Sequence, residues 1–172
     1  LHKAIRRQRQ MCIRDSLLFD YKVKLSGDPN RIKLSGFSKR SEVNGIDMPL
    51  VNLFLQKRWE DKDGNIYAKR IGTLVIRMDK NTDWVNDASF TILYGDITKR
   101  SDYKEYMGFQ LGESARYSLN SKGKNVPIQE IGWGTEDDEV THMILEFCSS
   151  HGGSYIGSPG NTFWVDNIRL GY

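Results

Sequence analysis

The segment that most constrains the fold is 149–170, which reads SSHGGSYIGSPGNTFWVDNIRL. Its first twelve residues contain four glycines and one proline, so the backbone there can adopt turns that other residues resist. Its second half, 163–170, combines aromatic and β-branched residues, a composition that is typical of a β-strand. A glycine-rich loop that leads into such a strand predicts a loop-to-strand corner of a β-sheet domain.

Other segments carry the alternation of a strand. In 17–25, Phe19, Tyr21 and Val23 alternate with charged residues, which predicts a half-buried strand. In 48–58 both alternating sets are largely apolar, as expected for a central strand. The turn 61–65 (DKDGN) predicts a hairpin. A calcium loop fits it less well, because its glycine comes two residues early and the twelfth-position glutamate is absent.

Further strands are predicted at 66–78, with a possible break near Gly72, and at 84–94 and 141–149. The stretch 30–45 is polar and receives no strand, and 102–111 suits either a short helix or a packed loop. Many strands, abundant turn residues and no sustained helical period predict an all-β sandwich. A length of about 155 residues beyond position 16 fits one domain, 17–172.

Residues 1–16 differ from the rest of the chain. They resemble the translated sequencing-adapter read-through that recurs at the ends of metagenomic reading frames, and we interpret them as non-native and exclude them from fold reasoning. The alternative is a basic arm that binds nucleic acid.

The exclusion changes the charge balance. Without the five basic residues and one acidic residue of 1–16, the net charge goes from +3 to −1. The remaining chain has no aromatic-interleaved basic stripe, so we predict no nucleic-acid partner. No run approaches the roughly 18–20 apolar residues of a membrane span.

The histidines and cysteines favour structural roles. Cys12 belongs to the excluded segment, which leaves Cys148 to act as a small buried hydrophobe rather than a reactive thiol. His142 and His151 are too few and too isolated for a metal or catalytic centre, and we predict hydrogen-bonded structural histidines.

Two loop aromatics are candidate ligand contacts. Trp133 lies between two glycines, and Tyr155 lies in the glycine-rich loop. Each can be a plug tucked under its loop or a flat platform on which the C–H face of a pyranose ring stacks. Trp59, Trp84 and Trp164 lie in or beside predicted strands and are predicted to be core.

Asp166 is the candidate metal ligand. Strict alternation places it on the face of Trp164, Ile168 and Leu170, and a carboxylate on a buried face is costly unless it is paired, hydrogen-bonded or metal-bound. The metal hypothesis is a structural calcium site with oxygen ligands from Asp166 and loop carbonyls. The alternatives are that a bulge turns the side chain outward or that amides of the glycine loop satisfy it.

Catalytic signatures are weak. Glycoside hydrolysis needs two convergent carboxylates, for which Glu130 and Glu146 are the available pair. The acidic run 136–139 reads as a solvated loop, because adjacent side chains splay apart. No nucleophile elbow, Walker loop or dinucleotide fingerprint is present. We assign no catalytic residue and lean towards a chain that is not an enzyme.

Several of these segments together resemble the PCMD family of carbohydrate-metabolism domains. The segments that carry the resemblance are 18–22 (LFDYK), 53–58 (LFLQKR), the Trp84 strand that leads to 94–98 (YGDIT), 130–133 (EIGW), 141–150 (THMILEFCSS) and 160–170 (GNTFWVDNIRL), the last being the most specific. The resemblance covers about 17–172. It implies a jelly-roll-like β-sandwich similar to carbohydrate-binding modules. It gives no established catalytic set.

The resemblance also sets expectations about context. Family members carry further strands before the position of Leu17, so we expect a domain that lacks its first strands, with unpaired edges, exposed apolar surface and poor solubility. They are usually exported lipoproteins of Gram-negative bacteria, so we expect a periplasmic or outer-membrane location through a lipid anchor absent from this chain. The expected partner is a polysaccharide or glycan bound through Trp133 and Tyr155. The alternatives are a glycoside hydrolase or lyase fragment, and a structural interaction domain of a surface lipoprotein.

Overall fold

The computed structural model describes residues 16–36 and 39–171. The interpretation of 1–16 as non-native, together with Cys12, falls almost wholly outside these residues. Within the described ranges, no helix is long and apolar enough to cross a membrane.

The described residues form twelve β-strands and two single turns of 3₁₀ helix, at Glu105–Met107 and Gly112–Ser114. The strands are β1 (Ser16–Lys24), β2 (Asn30–Ser35), β3 (Lys39–Asn44), β4 (Leu50–Glu60), β5 (Ile66–Arg77), β6 (Val85–Thr91), β7 (Leu93–Tyr94), β8 (Tyr117–Leu119), β9 (Asn125–Trp133), β10 (His142–Cys148), β11 (Ile156–Gly157) and β12 (Thr162–Gly171).

These strands assemble into three sheets. The large sheet has the order β10-β4-β5-β9-β8, with β7 paired to β5, and the small sheet has the order β12-β1-β6. A third sheet, β11-β2-β3, carries the glycine-rich loop on one edge. Strand β9 runs parallel to β5, whereas the other described pairings are antiparallel. The predicted all-β, jelly-roll-like sandwich is confirmed.

The core lies between the large and small sheets. Strand β1 contributes Leu17, Phe19 and Val23, which are at most 1% exposed, as its alternation predicts. The facing residues are Val51, Leu53, Leu55, Ile71 and Leu74 of β4 and β5. Strand β4 lies between β10 and β5, and its alternate residues Asn52, Phe54 and Gln56 are buried on the other face. The predicted central strand is therefore confirmed.

Strand β5 continues through Gly72 with a bulge instead of a break. Leu55 pairs with Gly72 and Gln56 pairs with Arg70, so Ile71 is the extra residue. A Cβ atom on Gly72 would lie 3.0 Å from methyl carbons of both Ile92 and Leu55. The absence of a side chain at Gly72 therefore permits the packing of the core at this bulge.

We expect Gly72→Ala to lower the free energy of unfolding by about 1–3 kcal/mol, because an added methyl group overpacks a filled core. Urea denaturation followed by tryptophan fluorescence measures the change. Gly132→Ala is the matched control, since a Cβ atom there meets no atom within 4 Å and its φ is not positive. Equal effects of the two substitutions would contradict the packing argument.

The hairpin predicted at 61–65 joins β4 to β5. The Asp61 carboxylate accepts hydrogen bonds from the Asp63 and Asn65 backbone N–H groups, each at 2.9 Å, and from Asn65 Nδ2 at 2.9 Å. The Asn65 side chain and then its backbone N–H hold the pKa of Asp61 below its usual value. Asp61 therefore closes a turn through hydrogen bonds within the turn itself.

Two parts of the chain differ from the sequence prediction. The polar stretch 30–45 contains the β2–β3 hairpin, which lies outside the main sandwich and therefore has little apolar alternation. Within 102–111 the chain makes only one 3₁₀ turn, and otherwise the packed loop that was the alternative. Tyr106 of that turn stacks on Arg77 of the large sheet, with Arg77 Cζ 3.6 Å from the ring centroid.

The tryptophans predicted to be core are substantially exposed. Trp59, Trp84 and Trp164 are 41%, 47% and 39% exposed, respectively, so this prediction is wrong. Trp59 is near the end of β4, next to the 61–65 turn, whereas Trp164 pairs with Lys22 on the side of the small sheet that faces away from the core. Location in a strand predicts burial only where another layer covers that face.

Candidate functional site

The buried carboxylate of Asp47 holds the glycine-rich loop in place. Asp47 is 1% exposed and lies just before β4. Its Oδ1 accepts hydrogen bonds from Ser150 Oγ at 2.9 Å and from the Met48 and His151 backbone N–H groups at 3.0 and 3.3 Å. Its Oδ2 accepts one from the Ser158 backbone N–H at 2.9 Å. One carboxylate thus joins the start of β4 to both ends of the loop.

Tyr155 lies at the tip of this loop and is 78% exposed. Its φ is +63°, in the left-handed region that residues with a Cβ atom rarely adopt. Its carbonyl accepts a hydrogen bond from the Leu34 backbone N–H at 2.9 Å, which fixes the loop to β2. The backbone is therefore held in a strained conformation that projects an aromatic ring into solvent.

Tyr155 forms one wall of a cleft of about 410 Å³ between the loop and β2. Ile32 and Leu34 of β2 give the floor an apolar character, and Arg40 of β3 adds a guanidinium group. The remaining lining residues are Asp47, Ser149, Ser150, Ile156, Gly157, Ser158 and Pro159. The Arg40 side chain makes no hydrogen bond or ion pair with any residue in 16–36 or 39–171. The cleft thus combines apolar walls with a few polar groups, as ligand sites do.

Trp133 lies apart from this cleft. It is the last residue of β9, is half-buried, and packs on Phe109 with ring centroids 4.6 Å apart. Across the sheet, Trp133 pairs with Arg70, Arg70 pairs with Gln56, and Gln56 pairs with His142, the first residue of β10. Tyr155 follows the last residue of β10 in the chain. The seven residues of β10 separate the two ends by about 20 Å. The two aromatics therefore lie towards opposite ends of the large sheet, and Trp133 is half-buried, as the plug alternative predicts. Glycan contact by Trp133 stays a prediction.

A bulge in β12 turns Asp166 outward. Leu18 pairs with Arg169 but Asp20 pairs with Asp166, so β12 has one extra residue here, and Asn167 has φ +51°. The bulge reverses the alternation, so that Phe163 and Val165 pack with Leu170 on the core. The prediction that Asp166 shares a buried face with Trp164, Ile168 and Leu170 is therefore wrong, and the bulge that was the alternative is present.

Asp166 is exposed, and its Oδ1 accepts a hydrogen bond from the Asn167 backbone N–H at 2.7 Å. The buried carboxylate at this bulge is Asp20, which accepts hydrogen bonds from the Asn167 side chain and the Asp87 backbone N–H, each at 2.6 Å. These two bonds lower the pKa of Asp20. In the part of the chain that the structure describes, no three His, Cys, Asp or Glu side chains group as a metal site. A calcium site at Asp166 stays a prediction, but the buried position from which it was inferred is not present.

Glu130 is engaged in an internal ion pair. Its side chain is 2% exposed and that of Arg70 is fully buried. Glu130 accepts two hydrogen bonds from Arg70, one from Gln56 Nε2 at 2.6 Å and one from the Gln110 backbone N–H at 2.8 Å. Arg70 Cζ lies 3.7 Å from the centroid of Phe54. Because both oxygens of Glu130 already accept hydrogen bonds, this carboxylate is unsuited to proton transfer with a substrate.

Glu146 faces the same side of the large sheet and is partly exposed. Its Oε2 accepts hydrogen bonds from Arg116 at 2.5 Å and from Asn52 Nδ2 at 2.9 Å. The Cys148 thiol is nearby, and burial, followed by the charge of Glu146, raises its pKa. Cys148 is thus a partly buried thiol that stays protonated near neutral pH.

The histidines hold local structure. His151 Nδ1 lies 3.1 Å from the Met48 backbone N–H, and burial, then Arg77 and Arg31, lowers the pKa of His151. His142 is exposed and hydrogen-bonds with Thr141 Oγ1 at 2.9 Å. Burial and Arg58 lower the pKa of His142. Both are hydrogen-bonded, as predicted.

Sequence reasoning found Tyr155 but missed Asp47, Leu34 and Arg40. Asp47 receives bonds from residues more than 100 positions away, which no local pattern reveals. Arg40 and Leu34 belong to the β2–β3 hairpin, which lies in the stretch 30–45 where no strand was predicted. The signal that could have found them is the alternation of Arg31, Ile32, Lys33 and Leu34 before the turn at Gly36.

The comparisons with known proteins point towards carbohydrate chemistry. The chain is 26% identical over 160 residues to a cyclomaltodextrin glucanotransferase from Niallia circulans, with 85% of this chain covered. The match spans 21% of that enzyme, so the chain corresponds to about a fifth of its length. No family model matches the chain, and no solved structure matches it. The chain is therefore similar, over most of its length, to a segment of a carbohydrate-active enzyme.

Proposed function

We propose that this domain is a non-catalytic carbohydrate-binding module and that the cleft beside Tyr155 binds a glycan. The observation that carries the proposal is the 78% exposed Tyr155 ring, held at positive φ on the lip of a cleft of about 410 Å³. A strained backbone persists only where the surrounding structure enforces it, and such residues cluster at binding sites.

The chemistry of the cleft suits a sugar ring. The C–H face of a pyranose can stack on the flat ring of Tyr155, and the apolar side chains of Ile32 and Leu34 complete the apolar surface. The Arg40 guanidinium and the Ser149 hydroxyl can hydrogen-bond with sugar hydroxyl groups. Asp47 is not available for this, because four internal donors occupy its oxygens; its role is to hold the loop.

Two further lines support the proposal. The similarity to a segment of a cyclomaltodextrin glucanotransferase supports an α-glucan as the first class of ligand to test. The resemblance to the PCMD family supports a setting on an exported bacterial lipoprotein. The hydrolase alternative is less well supported, because Glu130 is locked in its ion pair with Arg70.

A glycan array that includes maltooligosaccharides and cyclomaltodextrins tests the function, and calorimetry on the best ligand quantifies it. We expect Tyr155→Ala to weaken binding about tenfold, because loss of a stacked aromatic ring removes about 1–2 kcal/mol of contact. Tyr155→Gly should also lose binding while leaving the free energy of unfolding unchanged or raised by up to about 1 kcal/mol, since glycine relieves the positive φ.

The matched control is Tyr117→Ala, which removes a ring that is 59% exposed on β8, away from the cleft. Trp133→Ala tests the other predicted aromatic. Full binding by Tyr155→Ala, or loss of binding only in Trp133→Ala, would overturn the assignment to this cleft. A folded protein that binds nothing on the array would favour the structural interaction domain instead.

A further inference from the structure

Two arginines lie near the end of the large sheet where β4 begins, close enough for the charge of Arg31 to lower the pKa of Arg77. Arg77 is the last residue of β5, and Arg31 projects from β2 on the side opposite Ile32 and the Tyr155 cleft. Tyr106, in the 3₁₀ turn Glu105–Met107, stacks on Arg77, with Arg77 Cζ 3.6 Å from the ring centroid. Arg31 Nη1 lies 3.4 Å from His151 Nε2, and its Nη2 donates to the Asn44 carbonyl at 3.1 Å.

The two guanidinium groups have more donors than the surrounding protein satisfies. Arg31 Nε and Arg77 Nε are both buried, and neither has a hydrogen-bond partner among residues 16–36 and 39–171. Buried N–H groups are nearly always hydrogen-bonded, and an unpaired one costs about 1–3 kcal/mol. Both Nε–H groups are therefore donors without an acceptor in the described part of the chain.

Positive charges also outnumber negative ones around His151, with Arg31 and Arg77 against Asp47. Asp47 is the acidic group beside His151, and its oxygens already accept four hydrogen bonds. Burial lowers the pKa of Arg77, Tyr106 opposes this shift, and the charge of Arg31 lowers the pKa further. The pKa of His151 is lowered by burial and by both arginines. At His151, therefore, the positive charges of Arg77 and Arg31 outweigh the opposing charge of Asp47.

We propose that Arg31 and Arg77 form a receptor for an oxyanion, the carboxylate or sulfate group of a small ligand. A planar guanidinium presents paired donors that match such a group, and the two buried Nε–H groups supply donors that need an acceptor. Tyr106 holds the plane of the Arg77 guanidinium by stacking. This site lies on the other face of β2 from the Tyr155 cleft, and it does not depend on glycan binding there.

Calorimetric titration and thermal melting with sodium sulfate, sodium D-glucuronate and D-glucose, at fixed ionic strength in chloride, test the proposal. In the Tyr155→Ala variant, in which the proposed glycan cleft has lost its stacking ring, we expect sulfate, glucuronate or both to bind and to raise the melting temperature, with glucose inert. Binding of sulfate but not glucuronate supports a tetrahedral sulfate group, and the reverse supports the carboxylate of an acidic sugar. No response to either anion, or an equal response to glucose, overturns the proposal.

Variants place the response at these residues. Arg77→Gln and Arg31→Gln should each weaken anion binding at least tenfold and abolish the anion-dependent increase in melting temperature. Arg100→Gln is the matched control, because Arg100 is exposed and paired with Asp102 on the surface. Tyr155→Ala should leave anion binding unchanged, which separates this site from the glycan cleft. Anion binding that survives in the Arg31→Gln/Arg77→Gln double variant would overturn the assignment.

Discussion

Replacement of Glu130 by glutamine is expected to lower the free energy of unfolding by about 3–5 kcal/mol, the cost of breaking a buried ion pair. Glu130 receives hydrogen bonds from Arg70, from the Gln56 side chain and from the Gln110 backbone N–H, all within the covered face of the large sheet. Glutamine has one acceptor oxygen in place of two, and its NH₂ group would lie next to the N–H donors that now bond Glu130. The substitution therefore leaves the fully buried Arg70 charge without a counter-ion.

A double variant distinguishes the lost pair from a general packing defect. Arg70→Met/Glu130→Leu removes both charges and should unfold at higher urea concentration than Glu130→Gln, because apolar replacement of a whole buried pair is often neutral. Glu146→Gln is the surface counterpart, since Glu146 and Arg116 are about one-third exposed; we expect a loss of about 1 kcal/mol or less. A change below 1 kcal/mol for Glu130→Gln would contradict the structural role of this pair.

The parts of the fold that the sequence predicted are those with local signals. Alternation of Phe19, Tyr21 and Val23 with charged residues identified β1, and apolar residues on both faces of 48–58 identified the central strand β4. The 61–65 turn was recognisable because Asp61 makes its hydrogen bonds within five residues. In each case the determining contacts lie within the segment itself.

The predictions that were wrong depended on long-range geometry. The bulge in β12 arises from pairing with β1, about 147 positions away, and it reversed the alternation on which the buried placement of Asp166 was based. Burial of Trp59, Trp84 and Trp164 was inferred from strand propensity, but burial is decided by which faces the second sheet covers. A β-strand has two faces. Sequence alone shows which residues share a face, but it does not show which face another layer of the protein covers.

The residues of the candidate site also fall into those that a local sequence signal identified and those that depend on long-range contacts. The glycine-rich loop and Tyr155 were visible because glycine and proline mark a turn. Arg40 and Leu34 were not, because the β2–β3 hairpin has weak apolar alternation and meets the loop through contacts between residues more than 100 positions apart. Asp47, which holds the loop in place, has the sequence environment of an ordinary surface aspartate before a proline-containing turn.

We expect Asp47→Asn to lower the free energy of unfolding by about 3 kcal/mol, because hydrogen bonds to a buried charged group each contribute about 1.5–3 kcal/mol and only part of them is lost. Asparagine keeps one acceptor oxygen and turns an NH₂ group towards donors that now bond Asp47, namely Ser150 Oγ and the backbone N–H groups of Met48, His151 and Ser158. At least one of these buried donors must lose its partner.

The same substitution should affect the Tyr155 cleft, because Asp47 joins the two ends of the loop that carries Tyr155. We expect glycan affinity to fall at least tenfold and amide hydrogen exchange at Ser158 to accelerate, both under conditions where the core remains folded. Asp61→Asn is the matched control, since Asp61 also accepts several backbone hydrogen bonds but lies in a turn at the far end of β4. Unchanged exchange at Ser158 in Asp47→Asn would show that the loop keeps its conformation without this carboxylate. The strain at Tyr155 would then be maintained by the other bonds of the loop, among them the one between the Tyr155 carbonyl and the Leu34 N–H group.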